Sequence, residues 1–277
     1  MTSFKKQCLT AHCLVRNEEK WVWYAINSVL EFVDKVLVYD TGSTDKTVEI
    51  IKSISNPKVI LEQKGRVNKK QYTRLRQEML ERTKTFWFLI LDGDEVWSRK
   101  SIKELRVSID NAPQIKEAVV VPLWLCVGDI FHYDAFWAAH ANFNHPQGVR
   151  SYMQIRAVRI VPGLKAVGEY GFEAYADRQD QNISDWNYER LIFLNEKYWH
   201  MSLLPRSRDL AHDREVMQRA LKTRFIRGTP FPDGFKYPDV FKLARPSIVP
   251  SPWRRHTRID TLKGLYYRSL NLISRKI

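Results

Sequence analysis

Cysteine is scarce in this chain, and long apolar runs are absent. Its three cysteines, Cys8, Cys13 and Cys126, supply neither a spaced metal cluster nor an even disulfide framework, so a reducing compartment is expected. No stretch approaches the roughly 18 consecutive apolar residues that span a bilayer. The opening Met-Thr-Ser-Phe-Lys-Lys-Gln-Cys lacks the apolar region of a secretory signal. The expectation is a mature chain that starts at its first strand, in the cytoplasm or at a membrane surface. Acids are outnumbered: 31 Asp and Glu against 45 Lys and Arg leave a formal charge of +14 over 277 residues, which favours a polyanionic partner or substrate. With 44% apolar and 12% aromatic residues, disordered and fibrous readings fail, and one large core or two modest domains can form.

What is present first is an alternation of strands and helices. Leu9 to Val15 is a short apolar run that reads as a buried strand entering the polar loop Arg16 to Glu19. Trp21, Val22, Ala25, Ile26, Val29 and Phe32 share one helical face. Val36 to Tyr39 reads as a strand ending in Asp40, followed by the turn residues Thr41 to Thr47 and a helix through Val48, Ile51 and Ile54. Lys58 to Leu61 makes a third strand. A basic helix over Lys69 to Arg82 turns Tyr72, Leu75, Met79 and Leu80 inward, and Phe86 to Leu91 is a strand covered on both sides, leading into Asp92-Gly93-Asp94-Glu95.

This order predicts an α/β fold with a mostly parallel sheet, whose ligands sit beyond the carboxyl ends of the strands. Three acid-bearing loops, Arg16 to Glu19, Asp40 to Asp45 and Asp92 to Glu95, all follow such ends and therefore converge on one region. Farther along, Ile102, Leu105, Val107 and Ile109 suggest a short helix or mixed segment, Ala118 to Val121 and Arg156 to Val161 are strands, and Ile192 to Trp199 returns to the sheet. Val127 to Tyr152 reads as a long loop over a binding face, and Asp209 to Phe225 as one helix. Six prolines between 226 and 252 predict an extended wrap or linker. Leu262, Tyr266, Leu270 and Ile273 lie at helical spacing among Arg and Lys, a basic amphipathic helix suited either to an anionic membrane or to the main domain.

Three segments, CLVRNEEKWVWYAINSVL at 13–30, VLVYDTGSTDKTVEII at 36–51 and FWFLILDGDEVW at 86–97, resemble the nucleotide-binding half of family 2 glycosyltransferases. The resemblance implies a GT-A fold over residues 1–205, Rossmann-like with helices flanking the sheet, and a basic extension over 206–277. It implies a metal-dependent, inverting transfer of sugar from a nucleoside diphosphate sugar, UDP-linked by preference, with Mn2+ or Mg2+. Asp40 then resembles the acid that holds the base, Asp45 the second acid of that loop, and Asn17 and Glu18 neighbours in the same pocket. Asp92 and Asp94 match the Asp-x-Asp motif, Asp92 nearer the ribose and Asp94, in an accessible loop, on the metal with His200. On the third helix Arg74 or Arg76, with Arg76-Gln77 the nearest match to the family's Arg-Asn, is expected either at the diphosphate or on a solvated basic face. Glu173, then Glu169, are the expected general bases, although the family's usual His-Glu is Phe172-Glu173 here.

A cation suits this chemistry because the leaving nucleoside diphosphate gains negative charge as its bond to the sugar breaks. The positive charge favours an anionic or lipid-linked glycan as acceptor, with peripheral membrane contact through the basic C-terminus. Trp124, Phe131, Tyr133, Phe136 and Trp137 are either a stacking platform for sugar or the core of a lid. Arg206, Arg208 and Arg214 read as solvated surface or, for a nucleic-acid acceptor, as phosphate contacts. The competing classes are a transferase acting on nucleic acid or protein and a non-catalytic nucleotide-sugar or glycan-binding protein.

Overall fold

The computed structural model describes residues 8–216, 219–223 and 228–262. The expected alternation is present as β1 (Leu9–Val15), α1 (Val22–Val29), β2 (Lys35–Asp40), α2 (Thr47–Lys52), β3 (Val59–Gln63), α3 (Lys69–Arg82) and β4 (Trp87–Ile90). These four strands pair in parallel in the order β3-β2-β1-β4. Strand β1 lies at the centre, buried at every position. Its alternate residues serve two faces: Ala11, Cys13 and Val15 join the core under α1, while Leu14 meets Leu37, Tyr39 and Met79 on the other side.

The second half completes the sheet. It contributes β5 (Glu95–Val96), α4 (Arg99–Asp110), β6 (Ala118–Val127), β7 (Asp129–Tyr133), α5 (Ala135–Ala139), β8 (Met153–Arg159), β9 (Lys165–Val167) and β10 (Ala174–Ala176). Strand β8 runs antiparallel to both β4 and β6, so the sheet is mixed. Next come β11 (Leu191–Phe193), β12 (Tyr198–His200), α6 (Leu210–Glu215), α7 (Arg219–Lys222) and β13 (Thr229–Pro230). The whole is the curled, helix-flanked GT-A architecture expected, with a helical C-terminal extension.

Several boundaries differ from the expectation. The loop foreseen over 127–152 contains strand β7 and helix α5, because β6 runs on past Pro122 and reverses at Gly128, whose φ of 78° suits glycine. The single helix foreseen over 209–225 is two short ones, with Val216 leaving helical geometry at φ −93° and ψ 119°. Residues 229–253 do form a wrap. Phe231 and Phe235 pack on Trp199 and Trp124, while Tyr237, Phe241 and Trp253 extend the same aromatic cluster. Met217, Phe225, Tyr266, Leu270 and Ile273 lie outside the described residues, as does the basic tail from Lys263 onward.

At the centre of the sheet, β1 buries a histidine. His12 stacks on Phe88 at 4.7 Å, and its Nε2 lies 2.6 Å from Thr83 Oγ1. Since the Thr83 hydroxyl gives its proton to Met79 O, the imidazole must donate through Nε2, which leaves Nδ1 bare and buried. Burial, reinforced by the charge of Arg76, lowers the His12 pKa to about 3.

Candidate active site

Strands β2 and β4 flank β1, so the loops after Val15, Asp40 and Ile90 leave the same edge of the sheet side by side. A cavity of about 1010 Å³ opens there. Of the expected site residues, Glu18, Arg76, Asp92, Asp94, Glu173 and His200 line it. Asn17, Asp40, Asp45 and Glu169 do not. Thr41 and Arg16 present the first two loops to the cavity instead.

The residues behind the wall have definite structural partners. Asn17 adopts φ 53°, the left-handed region that Asn tolerates. Its Oδ1 accepts from Thr44 N at 2.7 Å, and its Nδ2 donates to His212 O at 2.8 Å. Asp45 accepts from Thr47 N at 3.0 Å and from Ser207 Oγ at 2.7 Å. Asp40, 2% exposed, accepts from Gly42 N and Ser43 N at 3.2 Å and so fixes the turn that carries Thr41. Asn17 and Asp45 thus hold the first two loops together and tie both to the C-terminal segment.

At the cavity wall, the carboxyls of Glu18, Asp92 and Asp94, with the buried Glu95 behind them, meet four guanidiniums. Arg206 bridges Glu18 Oε1 at 2.8 Å and Asp94 Oδ2 at 2.9 Å, and Arg219 adds a second cation to Glu18 at 2.5 Å. Arg156 contacts Asp92 at 3.5 Å and pairs with Glu95, while Arg76 reaches Asp92 at 3.3 Å. Asp94 is 1% exposed, contrary to the accessible loop expected, because Arg206 and β12 close over it. Gly93 is required between the two acids: a Cβ there would stand 2.9 Å from both Glu18 Cγ and Val15 Cγ1.

Burial and these partners push the acids apart. Burial raises Glu18 to about 7 against the pull of Arg206 and Arg219. Burial, with Asp92 and Asp94 nearby, also takes Glu95 well above the carboxylate range, only partly opposed by Arg156. For Asp94 burial acts in the same sense, but Arg206 and His200 override it and hold the carboxyl well below its ordinary value. Asp92 is likewise lowered, its burial outweighed by Arg156 and Arg76.

A group able to hold a divalent ion forms here. Register pairs His200 of β12 with Glu95 of β5, and ligand atoms of Asp92, Glu95 and His200 all lie within 4.8 Å of one another. Asp94 Oδ2 is 3.5 Å from His200 Nε2, and neither Asp94 oxygen receives a well-aligned hydrogen bond. Carboxylates with one imidazole suit a hard or borderline cation such as Mn2+. The set differs from the expected pair of Asp94 and His200: Asp92 and Glu95 group with His200, while Asp94 stands beside the group at 3.5 Å from the imidazole. Arg156 and Arg219 are site residues that the sequence reading does not include, and Arg206, expected as solvated surface or a nucleic-acid contact, is instead paired with Glu18 and Asp94. The signal for Arg156 is a charged residue starting the strand expected over 156–161; position along the chain carries none for Arg219.

At the same cavity, the β9–β10 hairpin sits on α3 through Thr73 Oγ1 to Gly168 O at 2.8 Å and Ala166 N to Gln77 Oε1 at 2.8 Å. It delivers Glu173 to the cavity, with its carboxylate accepting from Gly171 N at 2.5 Å, whereas Glu169 is exposed off the cavity. Of the expected aromatic platform, only Trp137 lines the cavity. Trp124, Phe131 and Tyr133 are consumed by the wrap, and Phe136 is exposed.

Comparison with known proteins follows this geometry. Residues 13–129 match the family described as glycosyl transferase family 2. An uncharacterized glycosyltransferase of Rickettsia bellii is 32% identical over 105 residues, 38% of this chain and 34% of that protein. The SPbeta prophage-derived glycosyltransferase SunS of Bacillus subtilis is 31% identical over 93 residues, 34% of this chain and 21% of SunS. The chain thus spans about a third or less of the length of these curated relatives. Among solved structures, S. aureus TarS 1-349 in complex with UDP is 16% identical with a TM-score of 0.44, covering 78% of this chain and 65% of that one. The mannosyltransferase PcManGT from Pyrobaculum calidifontis, in complex with GDP-Man and Mn2+, is 14% identical with a TM-score of 0.39, covering 56% and 45%.

Proposed function

From the glycosyl transferase family 2 domain at residues 13–129, we infer that this protein moves a sugar from a nucleoside diphosphate sugar to a hydroxyl acceptor, with inversion at the anomeric carbon. The observation that carries the reading is the meeting of Asp92 and His200, with Asp94 beside them, in the wall of one cavity large enough for a nucleotide sugar, and with the buried Glu95 directly behind them. Those residues would hold a divalent cation, Mn2+ by preference. When bound, that cation supplies positive charge to the departing diphosphate.

The chain's own residues do the rest. Arg76, Arg156, Arg206 and Arg219 line the acid cluster and can turn toward phosphate oxygens, since a guanidinium matches phosphate in a fork of two hydrogen bonds. Asp40, Asn17 and Asp45 shape the loops that present Thr41 and Arg16 toward the nucleotide. Glu173 lines the cavity from the β9–β10 hairpin, where a carboxylate can take the acceptor hydroxyl proton as that oxygen attacks the anomeric carbon. A one-step displacement of this kind breaks the bond to diphosphate as the new glycosidic bond forms. The acceptor proposed is an anionic or lipid-linked glycan, in keeping with the net charge of +14.

The test is to incubate purified chain with Mn2+ and a panel of UDP-, GDP- and dTDP-sugars, following nucleotide release. Turnover of one donor in slow hydrolysis, increased by a matching acceptor, is the expected result. Donor binding without turnover across donors and acceptors would instead indicate a non-catalytic nucleotide-sugar-binding protein.

A further inference from the structure

A second cavity, of about 330 Å³, lies behind the wall of the first. The wall is two segments joined by Lys20 N donating to Arg206 O at 2.9 Å. Along each segment, side chains two apart serve different cavities. Glu18 and Arg206 line the large one, and Lys20 and Arg208 line the small one. The small cavity has an apolar floor of Trp21, Ile130 and Leu204.

Its charge is one-sided once its own pairs are counted. Asp129 is used up by Phe131 N at 2.9 Å, His132 Nδ1 at 2.6 Å and His256 N at 2.8 Å. Asp260 is used up by Arg254 at 2.6 Å and by Thr257 N at 2.9 Å. Arg255 is set over the Phe131 ring at 4.5 Å, Arg208 lies 3.8 Å from Glu19 and donates through Nη2 to Ile248 O, and among the described residues Lys20 forms no ion pair within 4.0 Å. Burial, opposed by Asp213, Glu19 and Asp260, keeps the Lys20 ammonium below its ordinary value. A half-buried cation without a close counter-charge is costly, and an incoming anion would relieve that cost.

We propose that this cavity binds an organic phosphate, its phosphate between Lys20, Arg208 and Arg255 and its carbon portion on Trp21, Ile130 and Leu204. The phosphate is that of a small soluble ester or of a lipid headgroup, since both present the same charge and the same short carbon stem. The site is separate from the nucleotide-sugar cavity and stands whether or not that reading holds.

The experiment uses the full chain and two probes. Calorimetric titration with glycerol 3-phosphate tests the soluble source. Cosedimentation with phosphatidylglycerol-containing vesicles, against vesicles of phosphatidylcholine alone, tests the lipid source. Lys20→Met keeps the half-buried stem and removes the charge, while Ser251→Glu adds a carboxylate at an exposed position of the same lining and leaves the packing intact. Each is expected to weaken the responding probe at least about tenfold, a loss equivalent to about one charge-assisted hydrogen bond. Uridine diphosphate at saturation should leave that binding in place. Equal binding by parent and both variants, displacement by uridine diphosphate, or no response to either probe would overturn the proposal.

Discussion

Arg206 Nη2 lies 2.9 Å from Asp94 Oδ2, so a cation from the C-terminal segment is seated against the second acid of the Asp-Gly-Asp turn. The lowered pKa of Asp94 means that folding favours its ionised form, and neutralising it must cost stability as well as charge at the reacting centre. Asp94→Asn is therefore expected to lower sugar transfer by roughly 100-fold or more and also to lower the melting temperature. Steady-state rates alongside thermal denaturation check both. Parental transfer by the variant would remove Asp94 from the proposed ion site.

Glu173 and Glu169 lie on one hairpin turn but only the first lines the cavity. Glu173→Gln should reduce kcat by about 100-fold or more while leaving nucleotide-sugar affinity near the parent value. Glu169→Gln should behave as the parent. Donor titrations beside turnover assays separate the two, and the reverse order would reassign the acceptor-side acid.

Gly168 holds that hairpin at φ +83°, and a Cβ there would sit 2.2 Å from Phe172 O. Gly65 has a similar φ of +68° with nothing within 4 Å. Gly65→Ala should therefore cost only the left-handed strain, about 1 kcal/mol. Gly168→Ala should cost more and should also depress transfer by displacing Glu173. Urea unfolding of both variants supplies the comparison, and equal losses would show that the contact with Phe172 is readily relieved.

His12 gives a pH dependence with a definite sign. Its folded pKa of about 3 lies below the ordinary 6.5, so the unfolded chain takes up a proton first as the pH falls. The stability of the neutral imidazole is complete above pH 6.5 and is lost on going down toward pH 3, at up to about 1.4 kcal/mol per pH unit. Glu18, raised to about 7, acts in the opposite sense as the pH falls below its folded value, so the useful quantity is a difference between two proteins. Stability of His12→Gln should fall less steeply between pH 6.5 and 4 than that of the parent, measured by denaturant unfolding at each pH. Parallel curves would refute the assignment.

The first half of the fold was legible because its signals are local. Strand β1 spans the residues expected, and helix α3 starts where Asn68 and Gln71 form a capping box and ends at Arg82. The convergence of three loops followed from strand order alone. What escaped the sequence was non-local. Nothing in the pattern around Arg206 or Arg219 says that these side chains cross to Glu18, and the aromatic residues Trp124, Phe131 and Tyr133 find their partners only when the wrap closes over them. Asp40 and Asp45 were readable as acids of the right loops, but whether they face a ligand or their own backbone depends on turn geometry that residue type does not specify.

The order in which this cavity is completed has a consequence during synthesis. Asp92, Asp94 and Glu95 leave the ribosome well before Arg156, and earlier still than Arg206 and Arg219, which later offset them and Glu18. His200 reaches Glu95 only through β12, whose Trp199 is packed by the aromatic wrap ending at Trp253. A nascent chain therefore carries an acidic cluster offset only by Arg76 until Arg156 emerges, and the site acquires its balance of charge only once Arg206 and Arg219 have docked.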